Sequence, residues 1–151
     1  MRSLFSIGWR GRTLGGAVLS VLLLACQQKS PEEKLLKSVE PAGSWVAALE
    51  MVGQKWAANS VPTSFVKNSV SAAGKEFEKV AREAAKSQAR PELRAAVRGL
   101  VAEAQAAGEG LKRAVEANDR GAVARDVGRL SALRARFETL TKGGEAVVGG
   151  S

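Results

Sequence analysis

Histidine is absent from this chain, and cysteine occurs once, at Cys26. Those two facts remove most of the chemistry a small protein performs. Without imidazole there is no histidine base, no histidine-dependent triad and no imidazole ligand for zinc or haem. The Glu-x-x-His pairs of di-iron bundles cannot be built. No CxxCH is present for covalent haem, which leaves Met51 as the one unusual ligand in the body of the chain. Carboxylates are plentiful, but Glu76 and Glu78, or Glu103 and Glu109, fall off the apolar periodicity and read as solvated faces. Gly108-Glu109-Gly110 lacks the Lys-Ser/Thr and the preceding strand of a phosphate-cradling loop. No catalytic residue, metal or cofactor is expected, and the chain reads as a non-enzyme.

Cys26 itself is a nucleophile in a telling place. Arg2, Arg10 and Arg12, with no acidic residue, precede the apolar run Leu14 to Leu24, "LGGAVLSVLLL". Positive, then apolar, then small is the layout of a secretory leader. As a helix the run reaches ~16 Å, about half of a ~30 Å hydrocarbon core, so it is too short to span permanently. Leu23-Leu24-Ala25-Cys26 then resembles the lipobox of bacterial lipoproteins. That resemblance covers the leader and Cys26 only. It implies that the sulfur of Cys26 receives a diacylglycerol, that the leader is cut after Ala25, and that Cys26 anchors the mature chain in a lipid bilayer. The chemistry needs a thiolate and a small residue at the cut, and both are present. In enterobacterial lipoproteins an aspartate after the cysteine retains the protein in the inner membrane. Gln27 therefore implies the periplasmic side of the outer membrane of a Gram-negative bacterium.

With the leader removed, 20 basic and 15 acidic side chains remain, a net charge of +5 rather than the whole-chain +8. The excess is spread along the sequence: residues 26–88 carry 9 basic against 7 acidic, and residues 89–151 carry 11 against 8. Nucleic-acid binders concentrate such charge on one face or arm, so that partner class is excluded.

Around these residues the sequence must build helices, because alanine, glutamate, lysine, arginine and leucine dominate and tyrosine is absent. Trp45, Leu49, Val52 and Trp56 step by 4, 3, 4. Val66, Val70, Ala73, Phe77, Val80 and Ala84 continue the same alternation, as do Leu93, Val97, Leu100, Ala104, Ala107, Leu111 and Ala114. Val123, Leu130, Leu133, Phe137 and Leu140 form a fourth seam, with Val127 beside it. Each stripe can bury one face of a helix. Ser30-Pro31-Glu32-Glu33 reads as N-cap, first-turn proline and capping-box glutamate. Breaks fall at Pro62, before Pro91 and at Asn118-Asp119. Pro41 and Gly43 predict a first helix that is kinked near Pro41 or begins at Ser44. The expectation is an all-α, up-down four-helix bundle over 31–142, behind a leader (1–25) and a lipidated tether (26–30), with a flexible glycine-rich tail over 143–151. The alanines of the third seam predict close helix approach, or else a shallow cavity.

Two sets of residues invite a partner. Trp45 and Trp56 lie eleven residues apart on one face, about 16 Å along the axis. Core burial of both rings is the ordinary expectation, and a contact patch the alternative. Arg125, Arg129 and Arg136 project at about 200°, 240° and 220° from Val123, a stripe opposite the fourth seam. A solvated face is the ordinary expectation there, and docking on anionic lipid or an acidic protein the alternative. The functional expectation is a lipid-anchored helical module that binds an unidentified envelope protein or an anionic surface. The alternative is a carrier that holds a small apolar ligand or lipid in the bundle interior.

Overall fold

The computed structural model describes residues 29–148. The leader, Cys26 and the last three residues lie outside it. The described chain is an all-α four-helix bundle: α1 (Pro31–Ala57), α2 (Thr63–Lys86), α3 (Pro91–Glu116) and α4 (Arg120–Val148). Each helix packs on its two neighbours in the ring α1-α2-α3-α4, and α1 and α3 also meet across the diagonal. The start of α1, the α2–α3 loop and the end of α4 thus share one end of the bundle, the end expected to carry the tether. The α1–α2 and α3–α4 loops form the far end.

The seams become the core. All six apolar positions of the α2 stripe are buried, and the α3 stripe is buried from Val97 onward, with Leu93 packed at its edge. On α1 the buried line runs Leu35, Val39, Ala42, Val46, Leu49 and Trp56. That line extends the apolar pattern nearly three turns further back than the tryptophan-led stripe suggests. The alanine face of α3 is closed by its neighbours rather than hollow: a Cβ at Gly108 would lie 3.3 Å from Leu49 Cδ1 and 3.7 Å from Val70 Cγ1. Small residues here let α1 and α3 approach across the diagonal.

Punctuation follows the sequence with three differences. The Glu33 amide donates to Ser30 Oγ at 3.1 Å, the expected cap, but the Glu33 carboxylate pairs with Lys29 at 3.6 Å instead of completing the box. α1 passes through Pro41 as one element, and Ser44 starts no new helix; its hydroxyl donates back to the Glu40 carbonyl at 3.2 Å. Pro41 and Lys37 are both exposed, so the carbonyl that loses its amide partner faces water, where the loss is smallest. α4 also continues past Lys142 to Val148, beyond the point where the glycine-rich sequence predicts its end. Glycine lowers helix propensity by about 1 kcal/mol per residue but does not forbid a helix.

At the far end α1 and α3 stop by one device. Asn59 and Asn118 have φ of 57° and 53°. Asn59 N–H reaches Trp56 O at 2.8 Å and Ser60 N–H reaches Lys55 O at 2.8 Å; Asn118 and Asp119 repeat the pattern onto Val115 and Ala114 at 3.1 and 2.9 Å. These are Schellman closures, with asparagine where the left-handed residue is required. Asp119 Oδ1 then accepts the Ala122 amide at 2.9 Å and opens α4.

Candidate functional site

The two tryptophans are treated differently by the fold. Trp56 is buried at 8% exposure, while Trp45 is only partly buried and packs against the edge of the core. The expectation that both rings are core is therefore corrected for Trp45. Eleven residues bring the two to within about 20° on the helix, so angle alone does not separate them. Cover does. Trp56 sits at the last turn of α1, where Thr63 Oγ1 accepts its Nε1–H at 3.0 Å and the Arg120 guanidinium lies 5.9 Å from its ring centroid. Trp45, in mid-helix, has no loop above it.

Arg120 binds the two far-end loops together. It donates to the Ala57 carbonyl at 2.6 Å and to Asn59 Oδ1 at 2.8 Å, from the first residue of α4 to the end of α1. Sequence periodicity gave no sign of it, since Arg120 lies outside every seam.

The arginine stripe of α4 is divided among several contacts. Arg136 reaches across to α3 and donates through both Nη atoms to Glu103, Nη2 to Oε1 at 3.0 Å. The hydrogen bond from Arg136 holds the Glu103 carboxyl below its ordinary 4.5, and the same bond raises Arg136. Arg129 pairs with Asp126 on its own helix at 3.2 Å. Arg125 is exposed, with no ion pair among the described residues. A second cross-helix pair, Lys67 on α2 with Glu116 on α3 at 2.9 Å, lowers Glu116 through its hydrogen bond.

Two buried carboxylates were missed. Asp126 is 6% exposed and fills the seven-residue gap between Val123 and Leu130, so α4 steps Val123, Asp126, Leu130, Leu133, Phe137 in strict 3, 4 alternation. It is tolerated because α3 offers Gly110: a Cβ there would lie 2.9 Å from Asp126 Oδ2. Glu50 is 8% exposed and faces Arg134 of α4 at 3.1 Å. The pair is close but poorly aligned, and Glu50 Oε2 has no hydrogen bond of good geometry. Arg134 shares its charge between Glu50 and Glu138. Arg134 compensates a charge the interior would otherwise leave isolated.

Among the described residues no group of three or more acidic or thiol side chains is placed to hold a metal ion, and no helix is long and apolar enough to cross a membrane. Among the described residues the surface relief includes open grooves. The groove between α1 and α2 at the tether end holds about 390 Å³ and is floored by Leu35. Among the described residues Met51 and Phe65, at 54% and 49%, are the large exposed hydrophobics, and both lie in the half away from the start of α1. No family model, curated protein or solved structure matches the chain.

Proposed function

We propose that this chain is a non-enzymatic, lipid-anchored module of the bacterial envelope that presents the far end of its bundle to a protein partner. Acylated Cys26 supplies the anchor, on the strength of the leader and of Leu23-Leu24-Ala25-Cys26. Two or three acyl chains exceed the single chain that binds only marginally, so attachment is stable. Helix α1 starts at Pro31, which puts the loops 57–63 and 116–120 about 40 Å from the end that the tether joins, along a helix of 27 residues.

The observation that carries the reading is the Arg120 clamp. Loops are ordinarily the mobile part of a bundle. Here both loops close on left-handed asparagines and are tied to each other through Ala57 O, Asn59 Oδ1 and the Trp56 ring. A surface ordered in advance loses less entropy on binding. Phe65, exposed in the first turn of α2, offers the apolar area such a contact needs.

The test has two arms. Palmitate labelling should disappear in Cys26→Ser, which should leave the membrane fraction. Capture from detergent-solubilised envelopes should recover a partner with the wild type and lose it with Phe65→Asp, whose helical circular dichroism stays unchanged. Labelling that persists in Cys26→Ser refutes the anchor; equal capture by both proteins refutes the far-end contact.

A further inference from the structure

The charge that is spread along the sequence is gathered by the fold at one end. Residues 29–40, 80–98 and 140–145 meet at the tether end and carry 9 basic against 6 acidic side chains. The rest of the mature chain carries 11 against 9. More than half of the net positive charge, +3 of +5, therefore sits where the tether enters.

Much of it is free to act on something else. Lys34, Lys37 and Lys86 are exposed and have no ion-pair partner among the described residues. Lys34 and Lys86 line the same groove between α1 and α2, with Leu35 beneath them and Glu83 as the one acid on its wall. Lys37 follows Lys34 by three residues, on the same flank of α1. The neighbouring pair Arg90–Glu32, at 3.9 Å, and the Arg90 amide on Glu32 Oε1, at 3.2 Å, fasten the α2–α3 loop to α1 and hold this end together.

We infer that the tether end of the bundle docks on an anionic phospholipid surface through Lys34, Lys37 and Lys86. The inference rests on lipidation at Cys26. Four residues lie between Cys26 and Pro31, five Cα steps that span at most ~18 Å of extended chain. Contraction of the tether by roughly 10 Å draws Lys34 and Lys86 to within a Debye length of the headgroups, ~8 Å at physiological salt. A lysine that close to an anionic leaflet strengthens attachment about fivefold. Charge complementarity favours phospholipid over a protein here, because the tether leaves no room for a folded partner between this end and the bilayer.

The test uses the mature chain with a single myristoyl-length chain attached chemically at Cys26, the only thiol. One such chain binds marginally, so added attraction is readable. Partition is measured by sedimentation with vesicles of phosphatidylcholine alone, or with about one third phosphatidylglycerol. Phosphatidylglycerol should raise wild-type partition at least tenfold, and salt near 1 M should abolish the gain by shortening screening to ~3 Å. The triple variant Lys34→Gln, Lys37→Gln, Lys86→Gln should lose the gain. Lys55→Gln, Lys75→Gln, Arg113→Gln, which removes the same charge elsewhere, should keep it. Partition indifferent to phosphatidylglycerol, or equal loss in both variants, overturns the inference. Because the acyl chain is attached chemically, either result leaves the palmitate-labelling test of Cys26 to stand or fall by itself.

Discussion

Replacing Gly53 with alanine adds one methyl group where three helices converge. A Cβ built there lies 2.6 Å from Val127 Cγ2 of α4 and 3.2 Å from Leu111 Cδ1 of α3. Ordinary contact begins at 3.4 Å, so Val127 must retreat by nearly 1 Å. Valine in a helix is held in one χ1 rotamer and cannot turn away cheaply. Overpacking of this kind costs about 1–3 kcal/mol, and two encroached helices put it in the upper half. Against that, alanine gains about 1 kcal/mol of helix propensity over glycine. The net is a loss of roughly 1–2 kcal/mol, or about 4–8 °C in Tm at this chain length. Gly99→Ala and Gly128→Ala provide the control, because a Cβ at either site meets nothing within 4 Å. They should gain about 0.5–1 kcal/mol and melt ~2–4 °C higher. The assay is thermal and urea unfolding followed by helical circular dichroism. Adding Val127→Ala to Gly53→Ala should recover part of the loss by making room. A Gly53→Ala protein as stable as Gly128→Ala would falsify the close approach of α1 to α4.

Trp56→Ala should cost about 3–5 kcal/mol, whereas Trp45→Ala, at a half-covered ring, should cost clearly less; in single-tryptophan variants of the mature chain, acrylamide should quench Trp45 readily and Trp56 poorly. Stability should also fall on the acid side through Glu103 and Glu116. Both carboxyls are held below 4.5 by their hydrogen bonds to Arg136 and Lys67, so their contribution is present above that value and lost as pH falls through the lowered folded values. Glu103→Gln with Glu116→Gln should flatten the acid limb of Tm against pH and leave the neutral-to-basic limb unchanged. An unaltered acid limb would count against those two contacts.

The sequence by itself determined the helices, their order and most of the core. A 3, 4 alternation of apolar residues survives folding because a helix has only one face to bury, as the α2 stripe from Val66 to Ala84 illustrates. Caps at Ser30 and Asp119 were equally legible, since a cap is a local hydrogen bond between near neighbours. What depends on another helix was not legible. Trp45 and Trp56 have the same helical angle, and only the loop and Arg120 above Trp56 distinguish them. Asp126 occupies a seam position because Gly110 faces it, and Glu50 does so because Arg134 reaches it. Charge polarity is the furthest from the linear chain. Residues 26–88 and 89–151 each carry a small positive excess, and neither is a basic segment. Antiparallel reversal brings residues 29–40, 80–98 and 140–145 to one end, so only the tertiary structure decides that Lys34 and Lys86 share a groove where α1 begins.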